Sequence, residues 1–272
     1  MVYDFKERIP VYIIGRRGNY RNKDLLRALE GKFEIVEDDG FVQSSSVDIH
    51  SQVDEALFLA TLSRPVTNRE VACALAHIKA WRRLVELDLP YLAILEDDVT
   101  WSSKEVEILS EKLPSGKPWW LSLERRRGDF LWTHLLRRKG RLLRSFLQPR
   151  GGGAYLLSRE AAILGLRSFE LGGSKIVGEL DRCPRASGLF RFYIQLPPPF
   201  EASMTGPSII GARQPQIGDL KTRLTRSLRI LASSEYPNYI KTGLIALKVF
   251  RPLKYIFSLH FAFAWLERFR RH

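Results

Sequence analysis

Five consecutive apolar residues, Tyr91-Leu92-Ala93-Ile94-Leu95, run directly into three consecutive acids, Glu96-Asp97-Asp98. An apolar run of strand length without alternation is what a strand covered on both faces requires, so the chain must place further structure on either side of a sheet. The acids then fall at the C-terminal end of that strand, the edge at which open α/β sheets bind ligands. Adjoining carboxylates repel one another, and a folded chain keeps them together mainly where a cation or several donors offset the charge. Hard oxygen ligands suit Mg²⁺ or Mn²⁺, held by one or two carboxylates together with phosphate oxygens of a ligand. Glu96 and Asp98 are the candidate metal ligands. The plainer reading is a solvated acidic turn, and the buried strand ahead of the acids favours a site.

The flanking sequence completes an α/β pattern. Val11-Tyr12-Ile13-Ile14, ending at Gly15, reads as a first buried strand; residues 22–29 carry a helical pattern that stops near Gly31, and Phe33-Glu34-Ile35-Val36 reads as the next strand. Residues 40–66, serine-rich around Ser44-Ser45-Ser46, read as a long connection. Thr67-Asn68-Arg69-Glu70 has the form of a capping box, in which the Thr67 side chain and the Glu70 carboxylate each accept from the other residue's amide. The helix that starts there buries Val71, Ala74, Ile78, Trp81 and Val85, and ends at Leu89-Pro90. Residues 119–123 and 154–157 are further strands, the second preceded by Gly151-Gly152-Gly153 and followed by a helix, capped by Ser158, that runs to about Phe169. Residues 125–150 read as a basic loop, and no clear strand follows Pro197-Pro198-Pro199.

Length and charge divide the chain. Its 272 residues suit one large α/β domain, residues 1–219, with an appendage, residues 220–272. The net charge of +13 is uneven: residues 125–150 hold nine lysines and arginines against Asp129, and residues 220–272 hold eleven against Glu235 and Glu267. Cys73 and Cys183 are too few for a disulfide framework. The first residues lack the continuous apolar core of a signal peptide, so the expectation is a cytoplasmic protein. The longest apolar stretch of the tail, from Tyr255 to Leu266 around His260, is too short to span a bilayer. Lys241, Lys248, Arg251 and Lys254, with Leu244, Leu247, Phe250 and Tyr255 between them, describe a basic amphipathic surface. It suits either an anionic leaflet, to which the protein would be peripheral, or packing on the body.

Two blocks carry a family resemblance. Residues 70–81, Glu70-Val71-Ala72-Cys73-Ala74-Leu75-Ala76-His77-Ile78-Lys79-Ala80-Trp81, together with residues 90–99 around Glu96-Asp97-Asp98, resemble glycosyltransferase family 25, the lipooligosaccharide and lipopolysaccharide galactosyltransferases. The opening strand with Arg21, and the later segment from Gly153 through Tyr155 and Ser158, are similar to the same family over roughly residues 9–200. Ala76 stands where the family has serine, and Gly15-Arg16 where it has an Asn-Leu pair. The resemblance implies a GT-A type, Rossmann-like nucleotide-sugar fold, a UDP-sugar donor, transfer with inversion at the anomeric carbon, and a lipid-linked cell-surface glycan as acceptor. It places Arg21, Glu70, His77, Glu96 and Asp97 on the donor side, and Asp181 resembles the family's acidic position for the base that takes the acceptor proton; Glu179 and Glu124 are the alternatives for that role.

Each of these residues also has a structural reading. Asp181 and Glu179 suit surface ion pairs, and His77 suits a hydrogen-bonded core position. Cys73 and His77 share i, i+4 spacing, but one such pair without further ligands reads as packing. Two rival functions stand beside the transferase. The pI near 9.9 and the clusters Arg125-Arg126-Arg127 and Arg137-Arg138-Lys139 suit nucleic acid, yet no nucleic-acid module is recognisable and the acidic triplet opposes phosphate, so no nucleic-acid partner is expected. The other rival is a transferase-like binding protein without turnover.

Overall fold

The structure, a computed structural model, describes residues 8–101, 118–125, 141–145, 152–171, 190–201 and 219–245, apart from Arg17, Asn19, Arg21, Lys32, Asp38, Asp39, Pro197, Tyr236 and Pro237. The chain opens with β1 (Ile9–Ile14), α1 (Leu25–Leu29) and β2 (Phe33–Glu37), then a 3-10 turn at Ser44–Ser46, α2 (Ile49–Gln52) and α3 (Glu55–Leu62). A long helix, α4 (Asn68–Glu86), leads into β3 (Tyr91–Glu96) and β4 (Thr100–Trp101). Beyond it come β5 (Trp119–Ser122), β6 (Glu124–Arg125), β7 (Arg141–Ser145), β8 (Ala154–Ser158), α5 (Arg159–Leu171), β9 (Arg191–Leu196) and β10 (Phe200–Glu201). Two helices close the described chain, α6 (Leu220–Ala232) and α7 (Asn238–Ile245).

Among the described residues seven strands form one sheet in the order β2-β1-β3-β8-β5-β9-β7. β1 is parallel to β2 and to β3, and β5 is parallel to β9. β8 runs antiparallel between β3 and β5, and β7 is an antiparallel edge on β9. β4, β10 and β6 make a small second sheet.

The apolar run in β3 is covered on both faces, as its composition requires. Tyr91, Ala93 and Leu95 join a core with Val11, Ile13, Trp119, Leu121 and Leu156. Leu92 and Ile94 point the other way, into a core with Tyr12, Trp81, Leu84, Trp120, Tyr155 and Leu157 beneath α4 and α5. Each large aliphatic side chain removed from water there contributes about 1.5–3 kcal/mol. The same period of two turns Glu96, the next residue of that series, toward α4. Gly31, at φ +78, supplies the left-handed residue that ends α1.

The capping box forms as its sequence predicts: Glu70 N donates to Thr67 Oγ1, and Thr67 N donates to Glu70 Oε2 at 3.0 Å. Of the predicted buried face, Val71, Ala74, Ile78 and Trp81 are buried, and Val85 is half-buried against the second core. Ser158 accepts from Ala161 N at 3.2 Å and so caps α5.

The structure corrects the sequence reading in three places. Residues 40–66 hold α2 and α3, each started by an aspartate cap, Asp48 accepting from His50 N and Asp54 from Leu57 N. The basic stretch 125–150 contains β7, which among the described residues is an antiparallel edge strand on β9. Strand structure also continues past the prolines: β9 precedes them and β10 follows, pairing with β4 and β6.

The described part of the tail is helical and packs on α3. Ile230 and Leu244 are buried with Leu57 and Ala60, and Ser227 Oγ donates to the Ala60 carbonyl at 3.3 Å. Leu224 and Leu228, one turn apart on the outer side of α6, stay 52% and 62% exposed. Lys248, Arg251, Lys254 and the stretch from Tyr255 to Leu266 lie outside the described residues. No helix among the described residues is long and apolar enough to cross a membrane.

Candidate functional site

The acidic triplet sits on a backbone pinned from both sides. Toward β1, Asp97 N donates to the Ile14 carbonyl at 3.1 Å, and Asn22 N donates to the Asp97 carbonyl at 2.8 Å. Asn22 Nδ2 adds a bond to the Val99 carbonyl at 2.7 Å. Toward β8, Glu96 N donates to the Gly153 carbonyl at 2.7 Å, and Val99 N closes the turn on the Glu96 carbonyl at 3.3 Å. With these backbone groups satisfied internally, the carboxylates are what this turn presents.

The three side chains take different positions. Asp97 is buried against Gly15, where a Cβ would come within 2.6 Å of the Asp97 Cβ, so only glycine lets the end of β1 pass there. Asp98 is half-buried at the turn. Glu96 reaches α4: its Oε1 lies 3.5 Å from His77 Nε2 and accepts from the Cys73 thiol at 3.8 Å. Among the described residues the triplet does not converge into a three-carboxylate group; the group that does converge is Cys73, His77 and Glu96, with ligand atoms within 4.8 Å of one another. The sequence supplied the Cys73 and His77 spacing, and the strand parity of β3 was the available signal for the third member.

His77 is 1% exposed and held from behind. Its Nδ1 lies 2.9 Å from the Tyr155 hydroxyl, which also accepts from Trp81 Nε1 at 3.0 Å. Tyr155 stacks on Trp120 with ring centroids 3.8 Å apart and is wholly buried. Burial pushes its hydroxyl well above the ordinary tyrosine range, against the Trp81 hydrogen bond, so Tyr155 stays a neutral partner. Tyr155→Phe strips a partner from two buried polar groups and is expected to lower stability by about 2 kcal/mol in urea denaturation. A change below ~0.5 kcal/mol would show that the hydroxyl bonds little in the folded state.

Glu70 lies elsewhere, at the start of α4. Its carboxylate pairs with both terminal nitrogens of Arg64, one at 3.0 Å, and accepts from Thr67 N and Oγ1. Arg64 also donates to the Pro65 carbonyl at 3.1 Å and lies over the Phe58 ring, so the pair locks the corner between α3 and α4. Sequence reading missed Arg64, which carries no motif. Glu124 is buried at the same sheet edge as the triplet, and its Oε2 accepts from Gly153 N at 3.0 Å. Arg16 lies 4.8 Å over the Phe41 ring. Arg17, Arg21, Glu179 and Asp181 lie outside the described residues.

The arrangement is thus a rim of carboxylates built from the ends of β1, β3 and β5 and the start of β8, with a buried histidine beneath Glu96. Such a rim can hold a cation, and the glycines at its edge, Gly15 and Gly153, let Asp97 and Glu124 pack close against the backbone. Residues 23–162, just over half of the chain, match the family model of glycosyltransferase family 25 (LPS biosynthesis protein). No curated protein matches the chain. The matched stretch begins ahead of α1 and ends in α5, and so includes Cys73, His77, the triplet, Glu124 and Tyr155. The chain accordingly belongs to glycosyltransferase family 25, a family of LPS biosynthesis.

Proposed function

We propose that the chain moves a hexose, galactose by family resemblance, from a UDP-sugar to lipooligosaccharide or another cell-surface glycan, with inversion at the anomeric carbon. Membership of a glycosyltransferase family gives it a sugar donor and a glycan acceptor. The observation that carries the finer reading is the carboxylate rim at the C-terminal ends of β1, β3 and β5. An open sheet with ligand chemistry at that edge also supports the GT-A type.

Asp98 and Glu96 would hold Mn²⁺ or Mg²⁺, since both offer hard oxygen atoms at the rim and neither is fully buried. Bound there, the ion would offset the charge developing on the diphosphate leaving group. Asp97, fixed beside Gly15, sets the turn that aims its two neighbours. Arg21 and His77 complete the donor side, while Glu70, taken up by Arg64 and Thr67, acts on it only through the placement of α4. The acceptor proton goes to Asp181, with Glu179 as the second choice and Glu124 the one described carboxylate of the three at this edge.

Purified protein with Mn²⁺ and a lipooligosaccharide acceptor should release UDP from one UDP-sugar in a panel, and a chelator should stop the release. Release that survives chelation would refute the metal requirement, and no release from any UDP-sugar would refute turnover.

Attachment to the cytoplasmic face of the inner membrane belongs to the same proposal, because a lipid-linked acceptor lies there. Exposed Leu224 and Leu228, with Lys221 and Arg229 exposed on the same helix, support it. Leu224→Ser with Leu228→Ser is expected to reduce co-sedimentation with anionic vesicles several-fold without unfolding the protein; unchanged partition would remove α6 from the membrane face.

A further inference from the structure

We propose that Cys73, His77 and Glu96 form a binding site for a divalent transition-metal ion of borderline softness, zinc being the ion that best matches the donors. The inference goes beyond the transfer reaction, and it shares with that reading Glu96 and His77.

Geometry carries it. A tetrahedral zinc ion with bonds to sulfur, nitrogen and oxygen of ~2.0–2.3 Å separates its ligand atoms by roughly 3.3–3.6 Å. Here His77 Nε2 and Glu96 Oε1 are 3.5 Å apart, Cys73 Sγ and the same oxygen 3.8 Å apart, and all three atoms lie within 4.8 Å of one another. An ion at the centre requires a contraction of a fraction of an ångström to about one ångström.

The three donors come from rigid elements. Cys73 and His77 are one turn apart on α4, which places them on one face. Glu96 meets them from the last position of β3, turned to α4 by strand alternation. Trp81, one turn further along α4, is buried in the core under the sheet and fixes the helix against it. No loop movement is needed to assemble the triangle.

The outer contacts suit a metal-bound imidazole. A histidine that gives one nitrogen to a metal generally uses the other to donate a hydrogen bond, which fixes the ring. With Nε2 on the ion, the ring proton sits on Nδ1 and donates to the Tyr155 oxygen 2.9 Å away. Cys73 carries a thiol, and binding transfers its proton to solvent as the thiolate takes the metal. A thiolate with an imidazole selects zinc over magnesium or manganese. Cys73 and Glu96 are partly exposed while His77 is 1% exposed, so the ion has an entry path, and three protein donors leave a fourth position for water or a ligand oxygen.

The test uses the full chain, stripped with a chelator and titrated with Zn²⁺ against a chromogenic competitor, and separately with Co²⁺ as a spectroscopic probe. One equivalent of zinc should bind, and the cobalt form should show a near-ultraviolet thiolate-to-metal band. Cys73→Ser should abolish the band and weaken zinc at least ~10-fold, and His77→Gln should weaken it comparably. Asp98→Asn should leave zinc affinity unchanged, which separates this site from the hard-cation role of the triplet. A wild-type cobalt spectrum without the thiolate band overturns the proposal whatever the variants do. Zinc bound equally well by Cys73→Ser and His77→Gln, or lost in Asp98→Asn, overturns it too. Circular dichroism on each variant identifies any that fail to fold, and the wild-type spectrum then decides.

Discussion

Asp98→Ala should lower metal-dependent turnover by about 10²–10³-fold or more, the cost of losing one electrostatic contact to a developing leaving-group charge. The folded state should not suffer. Asp98 is half-buried on a turn whose backbone bonds run through Asp97, Asn22, Glu96 and Gly153, and none of them uses its side chain. Removing one of three adjoining acids also relieves repulsion in the absence of an ion, and thermal unfolding without metal checks that the variant still folds. The informative comparison is UDP release against Mn²⁺ concentration for the native protein and for Asp98→Asn, which keeps the shape and loses the charge. Native-like rates with an unshifted Mn²⁺ dependence would remove Asp98 from the site.

Arg64→Met should destabilise the protein by about 3–5 kcal/mol, because it leaves the Glu70 carboxylate, 3% exposed, without its cation. Glu70→Gln should cost less, because Arg64, 6% exposed, loses the carboxylate but keeps the Pro65 carbonyl and the Phe58 ring, while the amide oxygen keeps the cap on Thr67. The double variant should recover much of the loss, since removing both charges together leaves neither uncompensated. Acid should reveal the same pair. Burial raises the Glu70 pKa, but the Arg64 hydrogen bond and charge and the Thr67 donors outweigh it, so the carboxyl titrates below its ordinary 4.5. A depressed carboxyl contributes stability that is complete above 4.5 and lost as pH falls through the lower folded value. The gap between native protein and Arg64→Met, measured by denaturant unfolding, should therefore narrow as pH drops below 4.5. A loss under ~1 kcal/mol at neutral pH, or a gap indifferent to acid, would show that the pair is solvated.

The centre of this fold was legible because its elements carry local signals. The unbroken apolar run of β3, the Thr67 to Glu70 box and the Ser158 cap each fix a boundary without reference to the rest of the chain. Edges were not legible: β7, as Arg-Leu-Leu-Arg-Ser, pairs only with β9 among the described residues, so nothing in its composition needs to look like a core strand. α2 is too short for its periodicity to register. At the site, sequence placed the acids at the strand end but not their directions, because a side chain's neighbours come from distant segments. Thus Glu96 met Cys73 and His77, Asp97 met Gly15, and Glu70 met Arg64. The pairing of Cys73 with His77 read as packing until β3 supplied a third atom.

The reversed direction of β8 has a consequence for how the protein is made. Because that strand begins where its neighbours finish, Gly153 holds both the Glu96 amide and the Glu124 carboxylate. A nascent polypeptide that has already emerged through β3 still lacks this clasp, and the acids remain hydrated until a segment roughly sixty residues younger inserts beside them. Closing so long a loop is slow compared with helix formation. If a cation binds this rim as proposed, its uptake should therefore wait until β8 has inserted between β3 and β5, and translation products truncated before residue 153 should bind none.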